Sequence, residues 1–317
     1  MKKNDSYYFI VNGNAGSGKK KNIWYSVLKP ELIRRGVYFR AYECSYPGHG
    51  SELAAQILAE HDGAVTLVVV GGDGTFNEVL NGITDFERVT IGFIPAGSAN
   101  DLGFGLGISK DPLYALQRIL SGGKIFPMDI GKTTCEGGGK TRYFAISSGV
   151  GLDAEACNHS NGKRLKALLN RIHLGKMIYL LNTVRLVLVH PASEAKLIFS
   201  GEDGELIERR VHRLFFIAGM NHPYEGGHIA MAPAASASDG SLSFAMAHDL
   251  TNLQALFCLF LLALHLHERI PYYEVVDARS CHIMLKDHAR VHTDGESLGR
   301  QWDITIECLE KKLKLIL

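Results

Sequence analysis

Between residues 7 and 120 the chain alternates two kinds of apolar pattern. YYFIVN (7–12), VYFRAYEC (37–44), VTLVVV (65–70) and VTIGFIP (89–95) are short, apolar and rich in β-branched and aromatic residues, as buried strands are. The segments between and after them, at 22–35, 50–61, 75–83 and 111–121, predict helices. Buried strands alternating with helices predict a mostly parallel sheet covered on both faces, with ligands gathered beyond the carboxyl ends of the strands. After about residue 128 the pattern becomes β-rich. AKLIFSGEDGELIERRVHRLFFIAGM (195–220) predicts a long hairpin turning at Gly-Glu-Asp-Gly, and further short strands are expected near 241–247, 280–286, 289–293 and 302–308. A helical interlude at 161–188 sets Lys163, Arg164, Lys166, Arg171 and Lys176 beside apolar residues. The expected division is an α/β domain over 1–127 and a β-rich domain over 128–317.

LQALFCLFLLALHL (253–266) is the longest apolar segment, shorter than the ~18 residues of a membrane span, so it predicts a buried or interface-lying helix. A chain of 317 residues, 46% apolar, can bury the cores of two domains. Its 34 Lys and Arg against 33 Asp and Glu leave a formal charge of +1, which provides no basic field for nucleic acid. The cysteines at 44, 135, 157, 258, 281 and 308 show no C-x-x-C spacing and read as reduced thiols. The amino terminus lacks the apolar core of a signal peptide, and a cytoplasmic protein is expected.

The candidate chemistry sits at the strand ends. FIVNGNAGSGKK (9–20) nearly matches the phosphate loop G-x-x-x-x-G-K-[ST]: Gly13, Gly18 and Lys19 fit, but Lys20 stands where a magnesium-binding hydroxyl is needed. After the third strand, GGDGTFNEVLNG (71–82) combines Gly71, Gly72 and Gly74, which let backbone approach a phosphate, with Thr75 and Glu78 at capping-box spacing. Asp73 would repel phosphates unless a divalent cation bridged them, so it points to magnesium-nucleotide; a plain tight turn is the alternative. The next strand ends in AGSANDLGFGLG (96–107), where Ser98 and Asp101 have S-x-x-D cap spacing and Asn100 would cap the helix or bond a ribose or phosphate oxygen.

Gly71-Gly72-Asp73-Gly74-Thr75, with Asn77-Glu78, Asn81-Gly82 and Ile94-Pro95-x-Gly97-Ser98-x-Asn100-Asp101 downstream, resembles the diacylglycerol kinase catalytic domain, a family that includes bacterial lipid kinases and sphingosine kinases. The resemblance implies an α/β nucleotide-binding domain, a sandwich-like β-rich lipid-binding domain, and an active site in the cleft between them. It implies ATP as co-substrate, Mg2+, a membrane lipid alcohol as acceptor with diacylglycerol leading, peripheral association with the inner membrane face, and no nucleic acid; a homodimer is compatible with it. Asn12, Gly13, Asn14, Ala15, Gly16, Gly71, Gly72, Asp73, Gly74, Thr75, Phe76, Asn77, Ser98 and Asn100 would then contact nucleotide, so the first loop needs no magnesium-binding hydroxyl.

In the second domain, Gly149-Val150-Gly151-Leu152-Asp153-Ala154 resembles the family's segment beside the lipid cleft, with Asp153 facing the acceptor. The stretch from Ala232 to Leu242 resembles one that binds a structural magnesium. Asp239 and Ser241 would be its ligands there, with Ser236 at a position that can hold an acid and Asp101 reaching the ion through water. Val291-His292-Thr293-Asp294-Gly295-Glu296 matches the family's Asp-Gly-Glu motif: Glu296 is implied as proton acceptor and Asp294 as the neighbour organising metal or base. Two rivals share parts of this pattern, a NAD kinase and a non-catalytic lipid or nucleotide sensor.

Overall fold

A computed structural model of the chain describes residues 7–13, 23–136, 139–160, 184, 187–188, 192–201, 203–263, 266 and 273–317. The first part runs β1 (Tyr7–Val11), a π-helical turn Trp24–Leu28 leading into α1 (Lys29–Arg34), β2 (Phe39–Glu43), α2 (His49–Glu60), β3 (Val65–Gly71), α3 (Asp73–Asn81), β4 (Val89–Pro95), α4 (Asp101–Gly105) and α5 (Pro112–Leu120). The pairs β2–β1, β1–β3 and β3–β4 are all parallel, as near-continuous apolar strands require when helices cover both faces. One face packs Ile10, Leu67, Val69 and Ile91 against Leu53, Ile57, Val79 and Leu80 of α2 and α3; the other packs Phe9, Val68 and Ile94 against Trp24, Leu28, Leu116 and Ile119. Helix α5 begins where Pro112 fixes the first turn and Asp111 caps the amides of Leu113 and Tyr114.

The second part comprises β5 (Ile125–Cys135), β6 (Lys140–Phe144), β7 (Ser147–Gly151), α6 (Leu152–Ser160), β8 (Ser193–Ser200), β9 (Leu206–Met220), a small hairpin β10 (Tyr224–Glu225) and β11 (Ile229–Ala230), β12 (Leu242–His248), α7 (Asn252–Ala263), β13 (Tyr273–Ala278), β14 (Ser280–Thr293) and β15 (Glu296–Ile316). The expected hairpin is β8–β9, antiparallel. The two strands expected at 280–286 and 289–293 are one bulged strand, β14. Outward-pointing polar residues in its middle hide this continuity from a period-2 reading.

The boundary expected at 127/128 marks a change of pattern, but the chain crosses back over it. Strand β15 begins in the β-rich part and ends parallel to β4, pairing Lys314 with Thr90 and Ile316 with Gly92. Its Leu313 and Leu315 join the first domain's core with Met128 and Ile130 of β5. The main sheet therefore runs continuously in the order β13-β12-β9-β7-β14-β15-β4-β3-β1-β2. The Asp-Gly-Glu turn between β14 and β15 is thereby carried on strands anchored in both domains.

Candidate active site

Two strand-end loops of the first domain touch through backbone. A Cβ on Gly97 would lie 2.5 Å from Gly72 Cα, so only glycines let the loops after β3 and β4 approach this closely. Helix α3 starts at the first of these loops with Gly72 in extended conformation, and the amides of Asp73, Gly74 and Thr75 have no carbonyl one turn back, a ready position for an anion. Asn12 closes the side: its amide bonds Val70 O at 2.9 Å and its Nδ2 donates to Thr75 Oγ1 at 2.9 Å. Gly13 adjoins it with open space around its Cα. Asn14, Ala15 and Gly16, together with Lys19 and Lys20, lie outside the described residues.

Both expected caps are replaced by longer-range bonds. Thr75 lies inside α3, and the Glu78 carboxylate accepts from Gly48 N at 2.8 Å and Gly50 N at 3.0 Å, fixing α2 to α3. At α4 the first amides are capped from another loop, because Asp73 accepts from Asp101 N at 3.0 Å and Leu102 N at 3.3 Å. Ser98 is exposed and makes no such cap. A capping motif needs only local spacing, whereas these carboxylates found partners that the tertiary fold brought closer.

Three residues expected at the nucleotide have side chains engaged elsewhere. Phe76 is buried edge-on against Phe93, and its amide bonds Gly72 O. Asn100, buried with φ 56°, accepts from Gly97 N at 2.8 Å and donates to Gly97 O at 3.0 Å, shaping the loop. Asn77 is fully buried; it donates to Asp294 Oδ2 at 2.8 Å and Tyr143 O at 3.0 Å and accepts from Arg142 Nε at 2.9 Å. One turn on, Asn81 Nδ2 donates to Tyr143 O at 2.9 Å and its Oδ1 accepts from Tyr143 N at 2.8 Å. The two asparagines, i and i+4 on one face of α3, thus clamp β6 of the second domain.

Asp294 belongs to the same clamp. Its Oδ2 accepts from Asn77 Nδ2 and from Ala145 N at 2.9 Å, and its Oδ1 from Ile146 N at 2.9 Å and Ser147 N at 3.0 Å. Burial raises its carboxyl above the usual range, opposed by these donors. With both oxygens doubly bonded, Asp294 is a structural hub rather than a metal ligand. Glu296, two residues on, is exposed at the start of β15, carried by the same turn. Asp73 is the acid whose environment suits a cation: burial and the neighbouring Asp101 charge push its carboxyl up to about 6.

Of the residues expected around a structural magnesium, Asp239 and Ser241 lie together. Asp239 is exposed and its Oδ1 accepts from Ser241 N and Oγ at 3.1 Å; the Ser236 hydroxyl meets that of Ser238 at 3.3 Å. Asp101 is held at the β10–β11 hairpin, accepting from Gly227 N at 3.0 Å and His228 N at 2.8 Å. The buried acid of this region is one the sequence reading passed over: Asp129 accepts from Gly240 N at 2.7 Å and Lys311 N at 2.6 Å.

The β-rich part holds a second cluster. His292 Nε2 donates to Asp153 Oδ2 at 2.6 Å, and Cys157 and Glu225 join them with all ligand atoms within 4.8 Å of one another. Gly149 makes room, since a Cβ there would overlap Asp153 and His292. Burial opposes charge on His292, but Asp153 outweighs it and, with Glu225 and Asp294, pushes the imidazole up to about 9. The residue types suit a metal, and Gly295 N lies 3.2 Å from Nδ1 on the ring's other side. From Leu152, next to Asp153, Phe216, Met220, Met231 and Ala232 pack with Ala255 and Cys258 of α7 into one buried apolar core. Asp153 and Cys157 share one helix face at i, i+4, a signal available in the sequence; Glu225 left none.

Comparison with known proteins follows this geometry. The model of the diacylglycerol kinase catalytic domain matches residues 6–133, and that of the YegS C-terminal NAD kinase beta sandwich-like domain matches 146–317. The putative lipid kinase YtlR of Bacillus subtilis is 28% identical over 295 residues, covering 92% of this chain and 94% of that protein. A diacylglycerol kinase of Staphylococcus carnosus is 27% identical over 294 residues, covering 92% and 88%. The crystal structure of a putative diacylglycerol kinase from Bacillus anthracis superposes with a TM-score of 0.75 at 25% identity, covering 98% of this chain and 95% of that one.

Proposed function

The chain belongs to the diacylglycerol kinase family of ATP-dependent lipid kinases, and on that premise we propose that it phosphorylates the free hydroxyl of diacylglycerol, giving phosphatidic acid and ADP. The observation that supports this reading is the Asn77–Asp294 bond, which ties the Asp-Gly-Glu turn to α3, the helix that starts at the first glycine loop. Asn12, Gly13, Gly71, Gly72, Gly74, Thr75 and Ser98 would line the nucleotide, mainly through backbone. Asp73 would hold Mg2+, which supplies compensation for the charge developing on the transferred phosphoryl group. Glu296 would take the proton of the acceptor hydroxyl as its oxygen bonds the γ-phosphorus and the bond to the β-phosphate oxygen breaks. Asp153 and its partners would hold the lipid's polar end.

A bilayer acceptor requires the enzyme to reach a membrane surface, and among the described residues no helix is long and apolar enough to cross one. Helix α7 supports a peripheral approach. Ala255 and Cys258 face the interior, while Leu253, Phe257 and Phe260, at i, i+4 and i+7, are 77%, 59% and 57% exposed. The basic stretch at 161–188, expected to meet anionic headgroups, lies almost wholly outside the described residues. The test is incubation with labelled ATP and a total lipid extract, followed by identification of the labelled product. Label in phosphatidic acid supports the reading; label in another lipid alone overturns diacylglycerol as acceptor.

A further inference from the structure

We propose that Asp153, Cys157, Glu225 and His292 form a binding site for a zinc-type divalent cation, a four-ligand staple that ties α6 and the β10–β11 hairpin to the strand carrying the Asp-Gly-Glu turn. Its existence does not depend on which lipid alcohol the kinase phosphorylates.

The four side chains come from three elements far apart in the sequence. Asp153 and Cys157 stand one turn apart on α6, at i and i+4, so they share a face; Glu225 is on β10 and His292 on β14. One ligand atom from each lies within 4.8 Å of all the others. In a tetrahedral zinc shell, with bonds of about 2.0–2.3 Å, neighbouring ligand atoms stand roughly 3.3–3.7 Å apart. Glu225 Oε1 is already 3.6 Å from His292 Nε2, and the 2.6 Å between Asp153 Oδ2 and that nitrogen widens as the proton between them leaves. Gly149 keeps this point open: a Cβ there would stand 1.9 Å from Asp153 Oδ2 and 2.4 Å from His292 Nε2.

The cluster also lacks a partner that a cation supplies. Glu225 Oε2 is buried and, among the described residues, has no hydrogen-bond partner. Such an oxygen is costly when ionised, and a coordinated cation removes that cost. Among the charged groups acting most strongly on Glu225, namely Asp153, His292 and Asp294, there is no lysine or arginine. Coordination turns the Cys157 thiol into a thiolate, and the displaced protons leave to solvent. With the ion on Nε2, Nδ1 carries the ring's one proton and gives up its contact with Gly295 N, which at 3.2 Å is a long hydrogen bond set against four metal–ligand bonds. Thiolate and imidazole select a zinc-type ion over magnesium, which prefers an all-oxygen shell, so this site is separate from the Mg·ATP held at Asp73.

The test uses wild type, Cys157→Ser and the control Cys44→Ser, each stripped with EDTA, given Zn2+ or Co2+, and passed through gel filtration with Mg2+ in excess. Mass spectrometry of metal content should find about one zinc per chain in wild type and Cys44→Ser, with affinity at least ~10-fold lower in Cys157→Ser. The cobalt form should show thiolate-to-cobalt charge-transfer absorption that Cys157→Ser lacks. At about 100 times Kd, zinc should raise the wild-type melting temperature by roughly 5–10 °C. Wild type that retains no zinc overturns the site, and metal held equally by Cys157→Ser is an adventitious ion only, which overturns it too. If Cys157→Ser fails to fold, the cobalt band in Cys44→Ser still decides, because Cys135, Cys258, Cys281 and Cys308 are buried. Each of these readouts is independent of lipid phosphorylation, so their failure leaves the kinase reading standing.

Discussion

Replacing Asp294 by Asn isolates the hydrogen-bond hub that joins the domains. The substitution keeps shape and tolerates the left-handed backbone at this position, φ 47°, so strain is unchanged. One oxygen remains to accept from two donors, but the amide now faces the other two. Either Asn77 Nδ2 and Ala145 N, or Ile146 N and Ser147 N, lose their acceptor. An unsatisfied buried donor costs about 1–3 kcal/mol, so the pair costs roughly 2–6 kcal/mol. With a Tm change of roughly 2–4 °C per kcal/mol for chains of this size class, the melting temperature should fall by roughly 5–20 °C. Circular dichroism melts of wild type and Asp294→Asn measure this directly. A variant melting within about 2 °C of wild type, with only turnover reduced, would refute the hub and return Asp294 to a purely catalytic role.

Glu296→Gln should behave in the opposite way, lowering kcat by roughly 100-fold while the melting temperature and ATP affinity stay near wild type, because this exposed side chain bonds nothing the fold depends on. The Asp73 carboxyl is raised to about 6, so a bound cation must displace a proton below that pH. Isothermal titration should therefore show Mg·ATP affinity weakening as pH falls through about 6, and Asp73→Asn should abolish that dependence while losing roughly 100-fold in turnover. Changing Leu253, Phe257 and Phe260 together to Ser should reduce sedimentation with lipid vesicles and leave phosphorylation of a short-chain, water-soluble diacylglycerol unchanged; undiminished sedimentation would remove α7 from the membrane-facing surface.

The parallel order of β1 to β4 and the flanking helices were legible in the sequence, because a strand buried on both faces must be apolar along its whole length and a covering helix must carry an apolar stripe. The glycine loops were legible for a related reason: close backbone approach excludes a Cβ, and at Gly72 and Gly97 nothing larger fits. What the sequence could not decide was the partner of each polar side chain. Thr75 and Glu78 have the spacing of a local cap, yet one accepts from Asn12 and the other holds α2. Asn77 and Asp294, 217 residues apart, meet because β15 returns to pair with β4 and carries its turn back to α3. Burial pattern is a property of each element and is written locally; a hydrogen bond depends on a few ångströms between elements, and that distance exists only once the chain has folded.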